Sequence, residues 1–94
     1  MLKYTVYYKS QSIGRLYIND QGQYKYVADE KSIEEVEKKE NICIYADARR
    51  SRDWGEAIAF FDNRIANCKR FGMEDTVKYP NSDYYFVKDN SGNA

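Results

Sequence analysis

The chain has 94 residues, of which 15 are lysine or arginine, 15 are aspartate or glutamate and none is histidine. One domain fits this length, and 43% apolar with 16% aromatic residues is too much for a disordered chain. The zero formal charge argues against general electrostatic binding to nucleic acid or membranes, and the lack of histidine excludes Ser-His-Asp triads, Cys-His dyads and most zinc sites. Together these facts favour a binding module over a catalyst.

The N-terminal third predicts an antiparallel meander of three strands, because its side chains alternate between polar and apolar. Residues 11–14 read as a turn in which Gly14 takes a positive φ. Residues 19–23 predict a hairpin turn with Gly22 in the left-handed region. The predicted strands are residues 2–8, 15–18 and 24–27.

A short helix is predicted over residues 32–40. Ser32 and Glu35 match the S-x-x-E capping box that opens many helices. Ile33 and Val36 are its apolar residues, so we expect it to contact the core through a narrow stripe.

The middle of the chain predicts a fourth strand at 42–45, a loop over 46–53 and then the main amphipathic helix. Asp53 and Glu56 form a D-x-x-E capping pattern, and Gly72 is suited to the helix end. The apolar residues of this helix recur at spacings of three and four: Trp54, Ile58, Phe61, Ile65, Cys68 and Phe71.

The C-terminal part predicts a hairpin of strands 76–79 and 84–88, followed by a disordered tail over 89–94. The element order is then β-β-β-α-β-α-β-β. We expect a single α+β domain over residues 1–88, with one antiparallel sheet of about five to six strands, one long amphipathic helix and one short helix.

Cys43 and Cys68 each lie within an apolar pattern. We expect small buried thiols in a cytoplasmic chain, with a disulfide as the alternative. Two lone sulfurs cannot form a tetrahedral metal site, and no stretch has the roughly 20 apolar residues of a membrane span. Residues 1–10 also lack the apolar run of a secretory signal. We therefore predict no metal, no cofactor, no membrane association and a cytoplasmic location.

Tyrosine is unusually frequent, with ten residues. The strand alternation places Tyr4, Tyr8, Tyr24 and Tyr26 on the core side of the sheet, and Tyr7, Tyr17 and Tyr85 on the opposite face. Outward tyrosines are good anchors for a protein partner, although β-propensity alone would also explain them. Stacking of nucleic-acid bases is the less favoured alternative because the chain is neutral.

Arg49, Arg50 and Arg52 form the densest cluster of like charge. With Arg64, Lys69 and Arg70 nearby they could bind phosphate or an acidic partner, but a solvated loop explains them equally simply. The carboxylates fall at helix caps and on polar helix faces, and no spacing selects a catalytic pair. We therefore expect no enzymatic activity.

Residues 4–30 resemble the opening of the HipA N-terminal subdomain family. The matching features are Ile13-Gly14-Arg15-Leu16, the Gly22-led third strand, and the glycine-led helix with its Phe-Phe-x-Asn core at 54–65. The similarity covers about residues 4–72. Where the family continues with a Leu-Pro-Glu-Gly-like segment this chain has Ile-Ala-Asn-Cys, and neither the kinase core nor a counterpart of the 75–88 hairpin is matched.

The resemblance implies a free-standing version of a subdomain that packs against a kinase and regulates it. On that basis we expect a small protein-interaction module, antitoxin-like toward a HipA-type kinase. Two alternatives remain: a phage or mobile-element inhibitor of a nucleic-acid-binding enzyme, and direct nucleic-acid binding through the Arg49–Arg52 loop.

Overall fold

Six strands and two helices form the fold in a computed structural model, which describes residues 1–63, 76–78 and 83–88. The strands are β1 (Leu2–Tyr8), β2 (Gln11–Ile18), β3 (Tyr24–Ala28), β4 (Arg52–Gly55), β5 (Thr76–Lys78) and β6 (Tyr84–Lys88). The helices are α1 (Glu30–Glu40) and α2 (Ala46–Arg49), and residues 59–63 are also helical. All pairs of neighbouring strands are antiparallel, in the order β4-β3-β2-β1-β6-β5. The predicted α+β fold with one antiparallel sheet is confirmed.

The meander β1-β2-β3 is the centre of the sheet, and a later part of the chain extends it on each side. β4 pairs with β3, whereas β6 pairs with the free edge of β1 and carries β5 outside it. The three strands predicted in the N-terminal third and both strands of the C-terminal hairpin are therefore present.

The first turn is shorter than predicted. β2 already begins at Gln11, which pairs with Tyr8, so only Lys9 and Ser10 connect the strands. Lys9 takes the left-handed conformation with a φ of 53°. Residues 11–14 were predicted to be a turn with Gly14 at positive φ, and this prediction was wrong. Gly14 lies within β2, where a glycine is needed because of a close contact.

That contact is the close approach of Tyr26 to the backbone of Gly14. A Cβ at position 14 would overlap the phenol ring, with the Tyr26 Cζ 2.6 Å away. The Tyr26 hydroxyl in this space donates to the carbonyl of Ala48 at 2.7 Å. Gly14 thus lets a core tyrosine cross the sheet surface and reach α2.

The second turn matches its prediction. Gly22 has a φ of 78°, and its N–H donates to the Asn19 carbonyl at 3.0 Å. The Asn19 side-chain carbonyl accepts from the N–H groups of Gln21 and Gln23 at 3.0 and 2.9 Å. The asparagine therefore satisfies the turn's backbone donors, as this residue type does in many turns.

Helix α1 begins two residues before its predicted start. Asp29 is the N-cap and accepts from the Ser32 N–H at 3.2 Å, while the Ser32 hydroxyl donates to the other Asp29 oxygen at 2.9 Å. The prediction that Ser32 is the N-cap was therefore wrong, because Asp29, three residues earlier, caps the helix. Ile33 and Val36 are buried as predicted.

Residues 42–45 are not a strand. Asn41 ends α1 in the left-handed conformation, and the segment that follows pairs with no strand. The backbone N–H groups that a strand would pair instead donate to side chains, that of Ile44 to Glu37 at 2.8 Å and that of Tyr45 to the Tyr84 hydroxyl at 3.0 Å. The edge strand is β4, which begins at Arg52 within the predicted loop of residues 46–53. α2 occupies residues 46–49 of the same loop.

The predicted start of the main helix was also wrong. Asp53 and Trp54 belong to β4, and helical residues begin only at 59. Ile58 and Phe61 are buried as the helical spacing predicted. The continuation to Gly72, including Ile65, Cys68 and Phe71, lies outside the described residues, as do the turn at 79–82 and the tail over 89–94.

One apolar cluster joins the inner face of the sheet to the helices. Phe61 is fully buried and contacts the rings of Tyr26 and Phe86, with ring centroids 4.9 and 5.5 Å away. Its other buried members are Tyr4, Val6, Tyr8, Ile13, Leu16, Tyr24, Ile33, Val36, Ile44, Ala48, Ile58 and Phe60. The four tyrosines predicted for the core side are thus confirmed in the core. Cys43, in contrast, is exposed and was wrongly predicted to be buried.

Candidate interaction surface

The side of the sheet opposite the helices carries aromatic and basic residues, and we call it the outer face. It consists of the outward positions of β1, β2, β3 and β6 together with Trp54 of β4: Lys3, Thr5, Tyr7, Arg15, Tyr17, Lys25, Val27, Trp54, Tyr85 and Val87. None of the ten is acidic. Each is exposed or half-buried, so within the described part of the chain this face is accessible.

Tyr7 and Tyr85 form a stacked pair at one end of the outer face. They are directly opposite each other on β1 and β6, with ring centroids 4.9 Å apart and ring planes within 6°. Two of the three tyrosines predicted to face outward are thereby brought together. Because each ring restricts the other, the pair offers a rigid aromatic contact at little entropic cost.

Tyr17 belongs to a row at the other end of the face. It pairs with Lys3 on one side and with Lys25 on the other. The Lys25 ammonium lies 6.0 Å from the centroid of the Trp54 ring, at the outer limit of a cation–π contact. Together with Met1 and Val27 these residues line a shallow groove of about 330 Å³. The row alternates positive and aromatic side chains.

Arg15 lies between these two ends, opposite Thr5 and Val27. Asp29 and Glu30 line a groove with Arg15 and Val27, Asp53 accepts from the Trp54 N–H at 2.8 Å, and Asp20 is 3.4 Å from the terminal ammonium. Among the described residues, none of Lys3, Arg15 and Lys25 forms an ion pair. The middle of the face therefore carries cations without a paired carboxylate in the described part of the chain.

The negative charge lies on the other side of the sheet. Helix α1 alone carries Glu30, Glu34, Glu35, Glu37 and Glu40 against Lys31, Lys38 and Lys39. Among the described residues, the outer face is thus positive and α1 is net negative, and the sequence-based argument from net charge missed this separation.

The loop arginines form a separate surface on the helical side. Arg49 pairs with Glu37 through Nε at 3.0 Å and donates a second hydrogen bond at 3.1 Å. Arg49, Arg50 and Arg52 line one groove with Asp47 and Ile58. The cluster therefore includes carboxylates, and it is not continuous with the outward tyrosines. Arg64, Lys69 and Arg70 lie outside the described residues.

Glu37 links α1 to the segment that follows it. Its two oxygens accept from the Ile44 N–H and from the Arg49 guanidinium. The backbone donor first, and then the arginine, lower the pKa of the Glu37 carboxyl below its ordinary value. This is a structural role, since all of the carboxylate's contacts are internal to the helical layer.

A buried ionisable side chain also has a structural role. The Tyr24 hydroxyl donates to Asp62 at 2.8 Å and ties β3 to the helical residues 59–63. Burial, followed by the hydrogen bond to Asp62, raises the pKa of Tyr24. Over residues 1–63, 76–78 and 83–88 no group of three or more Cys, Asp or Glu side chains is placed to hold a metal ion.

Trp54 is the residue of this surface that sequence reasoning missed, because it was assigned to the main helix. The basic residues of the face could have been found, since the strand alternation that places Tyr17 outward also places Lys3, Arg15 and Lys25 outward. The sequence-based prediction assigned only the tyrosines to this face.

Comparison with known proteins gives no match: neither a family model, nor a curated protein, nor a solved structure is similar to this chain. The resemblance to the HipA N-terminal subdomain therefore stays a prediction. Among the described residues no helix has both the length and the apolar character needed to cross a bilayer.

Proposed function

We propose that the chain is a non-enzymatic protein-interaction module that regulates a larger partner by docking its outer face against it. The observation that carries the proposal is the accessible sheet face on which four aromatic rings lie together with three cations that form no ion pair among the described residues. Aromatic and arginine side chains are enriched where protein interfaces gain most of their affinity.

Two features support docking rather than catalysis. The hydrogen-bonded carboxylates of Asp29, Glu37 and Asp62 satisfy helix ends and hold elements together. The groove beside Trp54 is shallow and open, unlike the enclosed pockets that hold small substrates.

The resemblance would make a HipA-type kinase the partner, with this chain as its antitoxin-like regulator in the cytoplasm. An inhibitor of a nucleic-acid-binding enzyme is the other form of the same proposal. In both, the outer face meets a protein surface, so one experiment tests the docking step that they share.

The experiment is site-specific photo-crosslinking in cells. A photoreactive phenylalanine analogue replaces Tyr17 on the outer face or, as a control, Lys38 on α1; both side chains are accessible and remote from the core. We expect a protein partner to crosslink from position 17 and not from position 38. We also expect Trp54→Ala to reduce its capture by about tenfold, the loss typical of an interface anchor. Equal crosslinking from both positions, or none from position 17, would contradict the proposal.

A further inference from the structure

The charge on the outer face indicates what kind of surface covers it. We propose that the partner presents an acidic segment, with carboxylates opposite Lys3, Arg15 and Lys25 and an aromatic or apolar side chain against the Tyr7–Tyr85 pair. This inference rests on the docking function proposed above and names the chemistry of its partner.

Charge complementarity is the first argument. The three cations lie on adjacent strands β1, β2 and β3, and none of them forms an ion pair among the described residues, although Asp29 and Glu30 line a groove with Arg15. Pairing of two outer faces from two copies of this chain would bring like charges together, which costs affinity. An acidic partner gains a counter-charge at each position.

The second argument concerns the aromatic rings and separates an acidic protein from a nucleic acid. Base stacking uses free ring faces, and the mutual stacking of Tyr7 and Tyr85 leaves each of these rings only one. The exposed Val27 lies on the same face and adds apolar area that a protein side chain can bury and a phosphate backbone would leave unused. The apolar area between the rings therefore favours an acidic protein over a nucleic acid.

The third argument is the two-ended layout of the face. Among the side chains that the structure describes on this face, the cations lie toward the Trp54 groove and along the middle, and the tyrosine pair lies beyond them, with Lys78 of β5 opposite Tyr85 in the strand register. A segment that crosses the strands would meet positive charge first and the aromatic pair second. We therefore expect acidic residues followed by an aromatic or apolar anchor in the partner.

The chain contains a single tryptophan, and it lies on this face. Its fluorescence reports binding directly, without a label. Three probes are titrated into the full-length protein: a short peptide of alternating glutamate and tyrosine, its lysine–tyrosine counterpart, and a short oligothymidylate. The paired variants are Lys3→Glu with Arg15→Glu on the outer face, and Lys31→Glu with Lys38→Glu on α1, which change the net charge equally.

We expect the glutamate–tyrosine peptide to bind, to weaken as salt rises, and to lose at least about tenfold in affinity in the outer-face variant but less than about twofold in the helical-side control. Circular dichroism confirms that both variants remain folded. Tighter binding of the oligothymidylate or of the lysine–tyrosine peptide overturns the acidic partner and leaves docking through this face intact. If no probe changes the Trp54 signal and crosslinking from position 17 also fails, the docking function itself falls.

Discussion

At the scale of single residues, Gly14 shows how a small side chain decides which contact forms. Its lack of a Cβ gives the Tyr26 hydroxyl a path to the Ala48 carbonyl, and so joins β2, β3 and α2. The phenol oxygen is also 3.3 Å from the Ile13 carbonyl. Burial raises the pKa of Tyr26, which keeps the hydroxyl protonated as a donor.

We expect Gly14→Ala to lower the free energy of unfolding by about 2–3 kcal/mol, because the methyl group must displace a buried ring. Urea denaturation measures the change. Gly55→Ala is the matched control, since a Cβ there meets the Arg52 side chain at 3.5 Å and the Asp53 carbonyl oxygen at 3.8 Å, which are ordinary contacts. If both variants are equally stable, the role assigned to Gly14 is wrong.

Residue-level patterns predicted what depends on nearest neighbours along the chain. The Asn19–Gln23 turn and the buried tyrosines of β1 and β3 follow from turn chemistry and strand alternation. Gly14 was misjudged because its partner, Tyr26, is twelve positions away and meets it only once β2 and β3 have paired. Trp54 was misjudged because its spacing to Ile58 and Phe61 also fits a helix.

At the scale of elements, the segment from Asn41 to Tyr45 donates backbone hydrogen bonds to side chains, where a strand would donate them to a neighbouring strand. The β-branched and aromatic residues of this segment predicted a strand. Instead, the left-handed Asn41 ends α1 and the segment pairs with no strand. Glu37 and the Tyr84 hydroxyl then bind its backbone N–H groups. These are contacts across seven and 39 positions. Local propensity therefore cannot predict them, and the competing edge strand β4 cannot be identified without them.

The Glu37 contacts make a pH-dependent contribution to stability. Its pKa is lowered in the folded state, so the unfolded state takes up a proton more readily as the pH falls. The contribution is present at neutral pH and is lost as the pH falls through the ordinary glutamate pKa and then through the lowered pKa of Glu37.

We expect Glu37→Gln to lower the free energy of unfolding by about 1 kcal/mol at neutral pH, because it exchanges charge-assisted hydrogen bonds for neutral ones. The loss should become progressively smaller in acid. Urea denaturation at a series of pH values measures the difference between variant and wild type. Asp29, whose pKa is also lowered, titrates in both proteins and cancels in that difference. A difference that does not change with pH would contradict the assignment.

At the scale of the whole molecule, one face of the sheet forms the apolar core and the other is the proposed docking surface. The inner face, α1, α2 and residues 59–63 share the apolar cluster, and the outer face presents its rings and cations to the surroundings. The α+β class could be predicted because the alternation in β1, β2 and β3 defines an apolar face that helices must cover. The partner surface could be predicted only in part, since its charge pattern depends on strand register.

This division predicts opposite outcomes for two aromatic truncations. Phe61 is fully buried against Tyr26 and Phe86. Phe61→Ala should therefore lower the free energy of unfolding by about 3–5 kcal/mol, a large share of the total for a small domain. Trp54 is 37% exposed at the sheet edge, so Trp54→Ala should cost less than about 1 kcal/mol. Urea denaturation followed by circular dichroism compares the two without relying on the tryptophan signal. A loss of stability in Trp54→Ala as large as in Phe61→Ala would mean that the outer face is part of the folding core, and its separate role in recognition would not hold.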